Sequence, residues 1–302
     1  MKDFQQVIAR AQALGPVRVA VAQAADPKVL AAIVQAQAAG ITKGVLVGNP
    51  DAIFDLLADH NQDPAAYIIV PASSPSECAQ KAVALVKTGE ADVLMKGLLQ
   101  TSTFLRPVLD RETGLRTGQL ISQASVFEWQ DKGKLLTITD CAINITPDLK
   151  QKKSILENAV RFVQALGIAK PNAAVVCALE LVNPDMPETM DAAALTKMAD
   201  RGEITGAVID GPLALDNAIS EAAAQHKGIT SPVAGKVDIL LVPDMKTGNV
   251  IHKTLVHFAH AKAAAVVIGT QAPLVVTSRS DSAETKLNSL AVANLMAHHF
   301  GN

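Results

Sequence analysis

The segment Thr277–Lys286, TSRSDSAETK, gathers hydroxyls, a guanidinium and two acids in a chain otherwise sparing with charge. Apolar Leu274–Val276 precede it, and Leu287, Leu290, Ala291 and Leu295 recur on one helical face after it. It therefore reads as the end of a parallel strand, a turn, and a helix from Ser282 onward. Open α/β sheets place ligands beyond the carboxyl ends of their strands. A helix's first turn offers free N–H groups and a positive dipole end, and a guanidinium can grip an oxyanion through two bonds. Ser278 and Arg279 are thus candidates for a phosphate or acyl-oxygen site, with Thr277, Asp281 and Glu284 beside them. A purely structural alternative exists: Asp281 and Glu284 as a D-x-x-E capping box, the serines as turn formers, Arg279 as a surface cation. Capping uses the acids, yet it needs neither the arginine nor three serines.

A second junction, ADVLMKGLLQTSTFLRPVLDRETGLRTGQ over residues 91–119, repeats this logic. Lys96 and Gly97 follow an apolar strand, and glycine permits close backbone approach. Arg106, Arg111 and Arg116 follow on or after a helix, where Arg111 reads as a solvated face and the other two as cations for an acyl phosphate or a CoA phosphate. The segments VIDGPLALDNAIS and AGKVDILLVPDMKTGNVIHKTL add two more strand-to-helix loops, with Asp210, Asp216, Asp244, Asn249 and Lys253 as polar candidates. Each of these also suits a cap or turn bond. KTGN lacks the glycine-lysine spacing of a P-loop, no GxGxxG fingerprint is present, and His257 and His260 stand outside any HExxH frame. No metal site is expected.

These residues need a scaffold. Near-continuous apolar, β-branched runs such as VRVAVAQ, GVLVG, NAAVVCAL and VDILLVP predict strands covered on both faces. Between them, DPKVLAAIVQAQAAG and SPSECAQKAVALVKTG carry helix-start signals, proline behind a cap residue. Alternation of the two predicts an α/β fold with largely parallel sheets. Some ten strands in 302 residues are more economically divided between two domains with a cleft. Glu128–Lys134, EWQDKGK, is a hairpin or a crossover near their boundary.

Composition narrows the function. A net charge of -2 and 3% aromatic residues give no general attraction to nucleic acid or anionic lipid. Cys78, Cys141 and Cys177 are far apart, as expected of isolated thiols in a reducing compartment. The amphipathic start, MKDFQQVIARAQALG, is unlike a signal peptide, and no stretch reaches the roughly 20 apolar residues of a membrane span. A cytoplasmic protein without nucleic-acid or membrane partners is the expectation.

Together, LMKGLLQTSTFLRPVL, GLRTG, DGPLALDNAIS, AGKVDILLVPDMKTGNVIHKTL and TSRSDSAETK resemble the phosphate acetyltransferase and phosphate butyryltransferase family, especially its butyryl branch. The resemblance runs over nearly the whole chain. It implies a two-domain α/β plan of the isocitrate/isopropylmalate dehydrogenase-like kind: residues 1-128 with 270-302 carrying the Ser-Arg motif, and 129-269 as a dimerisation domain and cleft wall. It also implies a homo-oligomer built from dimers, acyl-CoA, phosphate and acyl phosphate as partners, CoA as substrate, and no permanently bound cofactor. By resemblance, Ser278 donates to the oxyanion and Arg279 and Arg106 clamp phosphate. Lys96 and Arg116 assist, and Gly97, Thr277, Asp281 and Asn249 line the substrate site. The acetyl branch carries its thiol base seven residues after the serine; here that position is Thr285, and the adjacent acid Glu284 is taken as the thiol base, with Asp281 or water as the alternatives. Acetyl transfer and a non-catalytic CoA or acyl-phosphate sensor are the alternatives, and an oxidoreductase would be a fold analogy alone.

Overall fold

Pro27, Pro50 and Pro75 each stand at the first position of a helix whose preceding Asp26, Asn49 or Ser74 side chain accepts a backbone N–H of the first turn. Fixed φ and a satisfied donor start these helices, and for Pro27 and Pro75 they do so where the sequence predicts them. The computed structural model describes residues 1–278 and 281–300. Its first run alternates α1 Phe4–Leu14, β1 Val17–Ala22, α2 Pro27–Ala38, β2 Thr42–Gly48, α3 Pro50–Asp59, β3 Ile68–Pro71, α4 Pro75–Lys87, β4 Val93–Lys96 and α5 Thr101–Val108. β1 pairs in parallel with β2 and β4, and β2 with β3. Its buried Val19, Ala20, Val21 and Ala22 carry no polar side chain because helices cover both faces.

The middle of the chain forms a second compact unit, Leu120–Ala261 with Met1–Asp3. It begins with β5 Ser122–Trp129 and β6 Lys134–Thr139, an antiparallel pair closed by a short 3-10 turn and by Gly133 at φ 57. EWQDKGK is therefore a hairpin, closed by a residue in the left-handed region that glycine enters without steric cost. Then come α6 Leu149–Ala165, β7 Asn172–Cys177, α7 Pro187–Asp200, β8 Val208–Ala214, α8 Leu215–Ile219, α9 Glu221–His226, β9 Ile239–Leu241 and α10 Met245–His257. The strands run β5-β6-β9-β7-β8, parallel from β6 onward. A division at 128 would cut β5, and keeping the hairpin whole places the seam before Leu120.

The chain then returns to the first unit, which comprises Phe4–Gln119 and Lys262 onward. β10 Ala263–Ile268 turns antiparallel into β11 Leu274–Val275, and β11 runs parallel to β4 with Leu274 opposite Leu94. The strand order is β3-β2-β1-β4-β11-β10. α11, Ala283–Phe300, is buried without interruption from Asn288 to Met296. Its polar members can be sealed because they bond to the scaffold: Asn294 Nδ2 donates to the carbonyls of Gly15 and Ile41, each at 2.8 Å. Among the described residues no helix is long and apolar enough to cross a membrane.

Candidate active site

In the first unit, β1, β4 and β11 run parallel and end at one edge, so their outgoing loops converge. Those loops, the first turn of α2 and Lys286 of α11 line a cavity of about 370 Å³. Gly97 sets its geometry. A Cβ added there would stand 2.1 Å from the Gln23 carbonyl oxygen and 2.6 Å from that of Ala22. In its place the backbone closes in: Gly97 N–H donates to Ala22 O at 2.9 Å and Leu98 N–H to Gln23 O at 3.0 Å. Gln23 turns the chain at φ 59, which sends it towards the α2 cap.

Electrostatics in the cavity favour an anion. Lys96 is 5% exposed, and its Nζ donates to the carbonyls of Gly97 at 3.4 Å and Leu99 at 3.2 Å. The Asp26 cap, Pro27, Lys28 and Val29 bring the positive end of α2 to the wall. Thr277 is 4% exposed, and its buried Oγ1 has no hydrogen-bond partner among the described residues. Ser278 is exposed at the mouth, its N–H donating to Asp281 Oδ2 at 2.7 Å. Lys286 donates to the carbonyls of Ser278 at 3.3 Å and Asp281 at 2.8 Å. Burial pushes its ammonium below the usual lysine range, and the charges of Asp281 and Asp26 partly offset this.

Of the residues singled out from sequence, Lys96, Gly97, Thr277 and Ser278 come together here. Arg279 lies outside the described residues. Asp281 is committed to closing the turn on Ser278. Arg106 sits on the exposed side of α5, and Arg116 is exposed, bridged through its backbone to Thr270; neither lines the cavity. Asn249 belongs to the second unit, where its amide donates to Cys141 O at 3.3 Å. The D-x-x-E capping box does not form. Ser282 Oγ is the cap, accepting Thr285 N–H at 3.1 Å, and it meets the Thr285 hydroxyl at 3.1 Å. Released from capping, Glu284 is 57% exposed and pairs with Lys262 at 3.3 Å.

Two contributors escape sequence reading, the α2 turn and Lys286. DPKV is legible as a helix start, but only the β1–β4 pairing brings it beside Lys96. Lys286 has no signal beyond its type, since a lysine in a first helical turn ordinarily faces solvent.

A parallel α/β sheet whose strand ends present buried ammonium groups, hydroxyls and a helix N-terminus defines a scaffold for handling an oxyanion. Residues 76–294 match the model of the phosphate acetyl/butaryl transferase family. The chain is 48% identical over 297 residues to a phosphate butyryltransferase of Clostridium acetobutylicum, covering 98% of this chain and 99% of the relative. It is 43% identical over 294 residues to a phosphate acetyltransferase of Rhizobium meliloti, covering 97% and 93%. A crystal structure of a branched-chain phosphotransacylase from Enterococcus faecalis superposes with a TM-score of 0.82 at 35% identity, over 94% of this chain and 99% of that one. The chain belongs to the phosphate acetyl/butaryl transferase family and is a phosphate acyltransferase.

Proposed function

We propose that the protein interconverts a short straight- or branched-chain acyl-CoA and phosphate with the acyl phosphate and free CoA, holding the phosphoryl group in the cavity at the ends of β1, β4 and β11. The observation that carries this reading is the convergence of Lys96, Thr277, Ser278 and the α2 N-terminus on one sheet edge. Starting from acyl phosphate and forming acyl-CoA, the CoA thiol gives its proton to water and the thiolate attacks the carbonyl carbon. Charge collects on the carbonyl oxygen, and the carbon–oxygen bond to phosphate breaks. Ser278 donates to that oxygen, while Lys96 and Arg279 hold the departing phosphate. Exposed Arg106 and Arg116 suit the nucleotide phosphates of CoA. Burial pushes the Cys141 and Cys177 thiols up to about 12, and neither lines the cavity. The same reading takes the protein as a cytoplasmic homo-oligomer built from dimers, on the dehydrogenase-like two-domain plan, with the Ser-Arg motif in the first unit.

Arg279→Lys keeps the charge and loses the planar two-bond grip. The phosphate KM should rise and turnover should fall by roughly tenfold or more, about 1.4 kcal/mol. Steady-state kinetics at varied phosphate check this, and wild-type values would remove Arg279 from the site.

Glu284→Gln, by contrast, should leave kcat within about threefold, because its exposed partner is Lys262 and its helix is capped by Ser282. A loss of roughly 100-fold together with the acidic limb of the pH profile would make Glu284 the thiol base.

The reaction itself is tested by thiol release from butyryl-, isobutyryl- and acetyl-CoA with and without phosphate. Phosphate-dependent release, faster with the four-carbon substrates, is expected. Phosphate-independent release would contradict transfer to phosphate, and a clear preference for acetyl-CoA would contradict the acyl assignment.

A further inference from the structure

Lys286 is 2% exposed, deeper than any other cation of the cavity. Its described partners are two backbone carbonyls, those of Ser278 and Asp281, and no carboxylate of the described residues forms an ion pair with it. Carbonyls accept its protons, and the charges of Asp281 and Asp26 offset its burial only in part. A buried charge without a directly paired counter-ion is costly, and in native structures such groups are paired or bind an ion. An ammonium has three donors. Two hold the ends of the 278–281 turn, which leaves the third for a ligand in the cavity that Lys286 lines.

Thr277 supplies an independent observation. Its hydroxyl is buried, lines the same cavity and has no partner among the described residues. A buried polar group left unsatisfied in a native fold calls for an explanation such as a bound ion. Both groups can donate, and what both can donate to is an oxyanion.

We propose that Lys286 and Thr277 form a second grip on the transferred phosphoryl group, with the substrate's oxygens supplying the direct charge partner that Lys286 lacks among the described residues. Lys286 thereby has two tasks. It binds the anion directly, and through the carbonyls of Ser278 and Asp281 it holds the turn that presents Ser278. This inference rests on the phosphate acyltransferase reading, though the binding it describes can be measured without turnover.

Full-length wild type, Lys286→Met and Thr277→Val are titrated calorimetrically with inorganic phosphate, and their KM values for phosphate and butyryl-CoA are measured. Lys286→Met should weaken phosphate binding by roughly tenfold or more, the loss of a charge-assisted hydrogen bond, while the butyryl-CoA KM moves less than about threefold. Thr277→Val is isosteric and breaks no existing bond. It should keep or raise the melting temperature while weakening phosphate roughly fivefold, a split that a merely structural threonine would not give. If Lys286→Met does not fold, the valine variant carries the test alone. Unchanged phosphate affinity in the folded variants would overturn the proposal. So would a raised butyryl-CoA KM at constant phosphate affinity, which would assign the cavity to a phosphate of CoA. Tight phosphate binding by a wild type without transferase activity, lost in the variants, would contradict the reaction and uphold the site.

Discussion

Ser278→Ala is expected to lower kcat by roughly 100- to 1,000-fold, with little change in the KM for acyl-CoA. Two bonds of the turn are made by the backbone and not by the side chain being removed: Ser278 N–H donates to Asp281 Oδ2 and its carbonyl accepts from Lys286. Alanine keeps both backbone bonds while deleting the hydroxyl at the mouth of the cavity. A donor aimed at the developing oxyanion acts mainly in the transition state, and its removal therefore appears in kcat. Rapid-quench and steady-state kinetics check the value, and mass spectrometry of wild type during turnover should find no acyl-enzyme. An acyl group trapped on Ser278 would replace direct transfer with a two-step mechanism.

The second large effect is structural in origin. Gly97→Ala would put a methyl carbon 2.1 Å from the Gln23 carbonyl oxygen, and the obstructing atoms are backbone. They cannot swing aside as a side chain would. Relief requires β1 and β4 to separate at the Ala22–Lys96 pairing, which also moves the Gly97 and Leu98 N–H groups off Ala22 and Gln23. Forcing volume into packed backbone costs about 3 kcal/mol here, at the upper end of overpacking. The melting temperature should fall by roughly 6–12 °C, on the scale of about 2–4 °C per kcal/mol for a chain of this size class. Phosphate affinity should fall with it, because Lys96 and Gln23 shift together. An unchanged melting temperature would mean that the β1–β4 edge is looser than its hydrogen bonds imply.

Much of the scaffold is legible in the chain because parallel strands sealed on both faces read as continuous apolar runs, and because Asp26-Pro27 and Ser74-Pro75 mark helix starts locally. α11 is harder. Its apolar pattern at Leu287, Leu290, Ala291 and Leu295 suggests one buried face, yet Asn288, Ser289 and Asn294 are sealed as well. Burial of the last depends on the distant carbonyls of Gly15 and Ile41, which no local window contains. The cap of α11 is a choice of register. Asp281 and Ser282 each stand three residues before a plausible partner, and tertiary structure assigns Asp281 to the Ser278 turn and Ser282 to the helix.

The site divides in the same way. Lys96, Gly97, Thr277 and Ser278 are identifiable because residue type and strand-end position coincide. Arg106 and Arg116 have the right chemistry for a phosphate, but sequence gives the type of a cation and not the face it occupies. Lys286 is the converse case, a lysine in an ordinary helical position that the packing of α11 buries at the cavity.

The claim on which the account turns is that one cavity, at the ends of β1, β4 and β11, holds the phosphoryl group. Crystals of the full-length protein soaked with inorganic phosphate, and separately with butyryl phosphate, address it directly. The account predicts tetrahedral density within hydrogen-bond reach of Lys286 Nζ, Thr277 Oγ1 and Ser278, with the acyl carbonyl of butyryl phosphate next to the Ser278 hydroxyl. Phosphate bound elsewhere, with only solvent in this cavity, would contradict it.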